Sequence, residues 1–247
     1  MGCLPLLFKR AFDTIVSTYS DGKMTGTGTI SQANQREQTR ERLIKSAERL
    51  FARQGYALTS VRDITREASC NVAAVNYHFS TKHNLYREMF TRRMAALREQ
   101  RISRIKRTMK EAGGRATLEM ILEAFANAFL EPLVHESSGP MVMELITREL
   151  LDPQLPPDFF LSEMILPVQG ALAEAITTVE SRIPVRPARM CIHSFVAQLI
   201  HVLRVRRMAQ LPKQTQEFAF SLTELVQHIV RFTAAGIRAC AKERVSS

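Results

Sequence analysis

Between Asn71 and Lys82 the chain sets short hydrogen-bonding side chains beside residues with almost no side chain: Asn71, Ala73, Ala74, Asn76, Tyr77, His78 and Lys82. On a helix, Val72, Val75 and Phe79 recur at i, i+3 and i+7 and turn inward, which leaves Ala73, Ala74, Asn76 and Tyr77 outward. Such a face suits base edges in a DNA groove. The alanines permit close approach and contact with thymine methyls, and the Asn76 amide matches the adenine edge with two hydrogen bonds. Tyr77 and His78 carry groups that donate to phosphate oxygens. Asn71 and Lys82 stand at expected helix N-termini, where free N–H groups and the helix dipole favour a phosphate. Pattern alone leaves open a plain helical hairpin whose polar side chains face water.

A groove-reading helix needs a second helix behind it, fixed by a short turn. The residues upstream supply one. Thr59 or Ser60 caps a helix to about Ala68, with Asp63 three residues after Ser60 as in a capping box. Ser69-Cys-Asn71 is the turn, and Asn71 caps the reading helix. An earlier helix carries Leu43, Ala47, Leu50 and Phe51 on one apolar stripe, and Gly55 is expected to end it as a left-handed cap. Ser80 or Thr81 begins a long helix running to Lys110, which Gly113-Gly114 stops.

The second half reads as five or six further helices, and no convincing strand occurs anywhere, so the fold class is all-α. Expected helices cover 115–135, 139–151, 158–180 with a kink or break at Pro167, 188–211 and 215–242. The last two are long, adjacent and broadly apolar, which predicts an antiparallel pair packing on its own two-fold copy. Phe195, Leu199, Val202 and Leu203 on the first, with Leu222, Leu225, Ile229 and Phe232 on the second, are the expected dimer face.

Charge divides the chain. Residues 1–110 hold 21 Lys/Arg against 9 Asp/Glu, a net +12, whereas residues 111–247 hold 13 against 15, a net −2. A cationic head on a nearly neutral body points to a polyanion partner for the head. An anionic membrane surface or a scaffold partner is the competing reading, through the amphipathic basic stretch from Arg98 to Lys110 with Ile102, Ile105 and Met109 on one side. No run reaches the roughly 20 apolar residues of a membrane helix, so no membrane span is expected. Cys3, Cys70, Cys191 and Cys240 match no metal spacing and fit a reducing cytoplasm. Residues 1–35 read as a disordered extension; Leu4-Pro-Leu-Leu-Phe8 is too short for a signal core, and Met24 is an alternative start. No Ser/His/Asp, Cys/His or paired-carboxylate set stands at motif spacing, and His193 and His201 are eight apart rather than four. The sequence therefore predicts no enzyme, no metal and no cofactor.

Residues Arg40 to Arg87 resemble the N-terminal domain of the tetracycline-repressor (TetR) family of bacterial regulators. The marks run in order: Leu50-Phe-Ala-Arg-Gln-Gly-Tyr56, Thr59-Ser-Val-Arg-Asp-Ile64, Ala68, Asn71-Val-Ala-Ala-Val-Asn-Tyr-His-Phe79 and Ser80-Thr-Lys-His-Asn-Leu-Tyr86. The resemblance implies a homodimer that binds a near-palindromic operator in double-stranded DNA, usually as a repressor. It also implies that Asn71, Ala73, Ala74, Asn76, Tyr77, His78 and Lys82 touch DNA; Thr59 and Ser60, at the start of the first helix, complete the expected DNA-binding set. Ser69 stands where glycine is usual, Cys70 where valine is usual and His83 where glutamate is common. Gly139-Pro140, Thr147-Arg-Glu-Leu-Leu-Asp-Pro153 and Leu166-Pro167 are similar to the subgroup with a CecR-type C-terminal domain, which implies control of efflux or drug-response genes. The domains would be a helix-turn-helix head at 36–86 and a helical ligand-binding and dimerisation body at 87–247. The family implies a small-molecule effector within the body. Phe125, Phe129, Met141, Arg148, Phe159, Phe160, Met164 and His193 are the candidates to line its site, although helical stripes ordinarily pack cores and Arg148 reads more readily as part of a solvated face.

Overall fold

In the computed structural model the stripe of Leu43, Ala47, Leu50 and Phe51 is buried, with exposures from 0 to 4%. The structure describes residues 27–134, 139–208 and 220–243. Cys3, the alternative start at Met24 and the ends of the expected helices at 135, 209–211 and 215–219 lie outside them. The described residues form helices joined by turns, without strands. They are α1 (Thr27–Leu58), α2 (Val61–Glu67), α3 (Ala73–Phe79), α4 (Lys82–Ala112), α5 (Leu118–Val134), α6 (Gly139–Leu151), a π turn (Leu161–Ile165), α7 (Leu166–Val179), α8 (Val185–Met208) and α9 (Leu222–Glu243).

Two expectations at the N-terminal end are corrected. Residues 27–35 are the first turns of α1 rather than part of a disordered extension. Gly55 does not end the helix in the left-handed α conformation; its φ is 80° and its ψ 172°, and helix resumes through Leu58. Those angles are close to glycine-only and bend the chain once.

α1, α2, α3 and the start of α4 make the head. α4 then continues without a break past residue 86, the expected domain boundary, and packs on α5, α7 and the π turn. One helix is thus shared by head and body. α8 packs on α9 and α7, and α9 on α5, and the buried residues of head and body belong to one continuous core. α1 is pinned to α4 by ion pairs of Arg40 with Glu88, Arg92 with Glu41, and Arg93 with Glu48.

Pro167 does break the expected helix at 158–180, through a π turn. Proline has no N–H to give the carbonyl four residues back, which is that of Glu163. The Leu166 N–H reaches Leu161 instead, and the orphaned Glu163 carbonyl accepts from Nη1 of Arg98 on α4. Gly139 opens α6 because a Cβ there would collide with the Leu133 carbonyl.

Candidate nucleic-acid interface

The expected capping box of α2 forms: the Asp63 N–H donates to Ser60 Oγ at 3.1 Å and the Ser60 N–H to Asp63 Oδ2 at 3.2 Å. The Ser60 hydroxyl and Arg66 hold the Asp63 carboxyl below its usual range. α2 ends in a Schellman turn, with the Cys70 N–H on the Thr65 carbonyl at 2.8 Å and the Ser69 N–H on that of Arg66 at 3.1 Å. Ser69 takes the left-handed position of that turn, φ 52°. Asn71 then caps α3 from one residue further back than expected, its Oδ1 accepting from the Ala73 N–H at 2.9 Å.

α3 buries Val75 and Phe79 at 0 and 5% exposure and turns Ala73, Asn76 and Tyr77 to solvent. Ala74 is half-buried against the core and His78 is half-buried beside Tyr77, ring centroids 5.0 Å apart. Val72, expected to face inward, is 46% exposed and joins the outer face. Burial, then Arg40, lowers the His78 pKa, with Arg36 adding and Glu37 opposing, so its imidazole is neutral near pH 7.

Two members of the expected DNA-binding set point elsewhere. Thr59 is 1% exposed and its hydroxyl donates to the Gly55 carbonyl at 2.7 Å. Lys82 is turned inward: Nζ donates to the Tyr56 and Thr59 carbonyls, each at 3.0 Å, and lies 4.0 Å from the centre of the Tyr56 ring. Burial lowers its pKa. The ammonium closes the carbonyl end of α1, where a helix dipole favours a cation. Thr59 and Lys82 build the seat of the reading helix. In exchange the fold brings up Arg36, absent from the expected set, with its guanidinium 5.9 Å from the Tyr77 ring. Arg36 and Arg40 extend the α1 stripe backward at i, i+4, and that spacing is the signal in the sequence that marks Arg36.

The remaining candidates separate by environment. Phe125, Phe129 and Phe159 are buried, and Met141, Phe160 and Met164 are half-buried against the core. Arg148 touches the head instead of lining a pocket: Nε donates to the Ala52 carbonyl at 2.9 Å and Nη2 to that of Arg53 at 3.1 Å. His193 is exposed on α8, away from the core. Of the expected dimer face, Phe195, Leu199, Val202 and Leu203 are 0 to 9% exposed and Ile229 is 5% exposed within a single chain. They pack α8 and α9 within the chain. Leu222 and Leu225 are half-buried, and Phe232 is 63% exposed.

A two-helix unit with a solvated reading helix, backed by a buried first helix and carried on an all-helical body, defines a helix-turn-helix transcription regulator. Comparison with known proteins agrees. Residues 43–89 match the family described as bacterial regulatory proteins, tetR family, and residues 118–237 match the C-terminal domain of the transcriptional dual regulator CecR. The chain belongs to the TetR family of transcriptional regulators. It is 43% identical over 47 residues to the helix-turn-helix regulator YttP of Bacillus subtilis (strain 168); the match is 19% of this chain and spans 23% of that relative's length. A TetR-family regulator from Mesorhizobium loti superposes with a TM-score of 0.61 at 17% identity, covering 83% of this chain and 97% of its own. A transcriptional regulator from Pseudomonas aeruginosa PAO1 does so with 0.62 at 18%, covering 84% and 94%.

Proposed function

We propose that the protein is a ligand-responsive repressor that binds a near-palindromic operator as a homodimer, with α3 in the major groove. The observation that carries this reading is the α3 outer face: Ala73, Asn76 and Tyr77 exposed over a fully packed Val75 and Phe79, with Arg36 alongside. Asn76 supplies the base-edge amide, Ala73 the close approach, and Tyr77, Asn71 and Arg36 the backbone contacts. Ser60 faces solvent at the start of α2 and reaches a phosphate through the same edge.

The membrane-surface reading loses its basis in the packing of α4. Ile105 is 2% exposed, and Ile102 and Met109 are packed against the core, so the apolar side of Arg98–Lys110 is already covered. No helix among the described residues is long and apolar enough to cross a membrane.

Selection of bound sequences from random DNA by the full-length protein tests the proposal. The expected result is a single inverted repeat, preferred over bulk DNA by roughly a thousandfold or more. Binding that enriches no sequence would refute it.

A further inference from the structure

Arg101 lies on α4 within the body and is 4% exposed, the most deeply buried cation of the described residues. Its neighbours on the same face have carboxylate partners: Arg98 pairs with Glu163 at 3.3 Å and Arg104 with Glu131 at 3.4 Å. Arg101 has none among the described residues. Its Nη1 meets only the Met164 thioether, at 3.2 Å, its guanidinium sits 4.3 Å from the Phe129 ring centre, and its buried Nε has no hydrogen-bond partner. A thioether is a weak acceptor and a ring face only partly replaces lost hydration. Burial alone, with no neighbouring charge, pulls the Arg101 pKa down to about 10. An uncompensated cation in a core costs far more than it returns unless something negative reaches it.

The wall over Arg101 is suited to yield. Met164 belongs to the π turn, whose backbone departs from regular helix just ahead of Pro167, and methionine repacks easily. π turns recur at functional sites. The same segment shows an apolar outer surface, with Leu161 46%, Ile165 38% and Leu166 51% exposed. The segment that supplies Met164 to the buried, unpaired cation thus also carries exposed apolar side chains.

We propose that Arg101 binds the acidic group of a small amphipathic organic anion, held between α4, α5 and the π turn, and that this anion is the effector. The inference rests on the reading of the protein as an effector-responsive DNA binder. The acid group takes two parallel N–H bonds from the guanidinium, a geometry that carboxylates and sulfonates accept and a neutral analogue does not. Phe129, Met164 and the apolar residues of the π turn receive the rest of the molecule. α4 joins this site to the head, since Lys82 and Arg101 are about 28 Å apart along one helix at the ordinary rise.

The full-length protein is titrated with 8-anilinonaphthalene-1-sulfonate, followed by fluorescence, and the bound probe is challenged with octanoate or with octanamide. The wild type is expected to bind the probe saturably at one site per chain, with octanoate displacing it and octanamide not. Arg101→Met should weaken the probe at least tenfold while its unliganded thermal midpoint stays equal or rises, because an uncompensated buried charge is gone. Arg101→Lys keeps the charge and should retain part of the binding. Arg101→Gln serves if the methionine variant does not fold. Octanoate should also weaken binding to the selected operator in the wild type and not in Arg101→Met. Equal probe affinity in wild type and Arg101→Met or Arg101→Gln, equal displacement by the amide, or operator binding that no anion alters would overturn the proposal. In each of those cases operator binding itself persists, whereas a protein that selects no operator would fail the underlying reading.

Discussion

Ser69 is a residue where local preference and tertiary need conflict. Its φ of 52° lies in the region that a Cβ penalises, and the Schellman turn between α2 and α3 holds it there. Ser69→Gly should raise stability by about 1 kcal/mol, read as a higher urea midpoint at unchanged slope, with operator preference unaltered. A lower midpoint would mean that the serine side chain contributes to the turn. Asn76→Ala should relax base preference at one position of the half-site at a cost of about 1–3 kcal/mol, measured by competition among variant operators. An unchanged preferred sequence would show that α3 reads through other side chains. Arg36 and Lys82 give opposite expectations. Arg36→Ala should flatten the dependence of log affinity on log salt by about 0.9 per protomer, as for the loss of one phosphate contact. Lys82→Met should leave that slope alone and lower stability by about 1–3 kcal/mol, because it strips two carbonyls of their donor. A flattened slope for Lys82→Met would return that residue to the DNA contacts. The outward set on α3 is legible in the sequence because a seven-residue helix with two buried positions leaves few other arrangements. The roles of Thr59 and Lys82 are not. Gly55 bends the chain so that carbonyls at 56 and 59 converge on an ammonium more than twenty residues later, and no periodicity records that.

α6 couples the two parts of the chain. Arg148 caps the carbonyls of α1, and next to it Glu149, 3% exposed, accepts from the Tyr86 hydroxyl at 2.6 Å and from the Gln154 and Leu155 N–H groups at 2.9 and 2.8 Å. Burial first, and the Glu149 carboxylate second, push the Tyr86 pKa far up, so the phenol stays protonated and donates. His83 adds a contact to the Gln154 carbonyl at 2.9 Å. The polar pair in an otherwise apolar helix is visible in the sequence; its destination is not, because it lies about 95 residues upstream for Arg148 and 63 for Glu149. The π turn is hidden for the same reason. Pro167 predicts a break, but the break is a π turn held by Arg98, from a helix 65 residues away. Tyr86→Phe should cost about 1–3 kcal/mol in thermal or urea unfolding, since it leaves a buried carboxylate oxygen without its donor. An unchanged unfolding midpoint would show that Glu149 is satisfied by its two backbone donors alone.

Over the whole molecule, the +12 of residues 1–110 overstates what DNA meets. Arg40, Arg49, Arg92 and Arg93 are engaged by Glu88, Glu67, Glu41 and Glu48 inside the head. The charge split marks the head but does not show which cations are consumed in holding α1 to α4 and α2. The dimer face obeys the same logic. Apolar stripes on α8 and α9 are plain in the sequence, yet a stripe does not record whether it is covered by its own chain or by a copy. The structure covers Phe195, Leu199, Val202 and Leu203 internally, leaving Phe232 at 63% and Ile200 at 39% exposure on the outer sides of α9 and α8. The Phe232 ring lies nearly parallel to that of His228, centroids 6.4 Å apart, on the same outer side. In a two-fold interface each exposed residue appears twice, so one substitution places two like charges in a contact that was apolar. Phe232→Lys should therefore convert the protein to a monomer of about 28 kDa by sedimentation equilibrium. Its helical content should be unchanged, because Phe232 contributes little to the core of its own chain. The monomer should bind a single half-site as the wild-type protomer does and lose about a hundredfold or more on the full inverted repeat, where the linked second head no longer acts at high effective concentration. A Phe232→Lys protein that sediments as the wild type does would place the dimer contact on another surface.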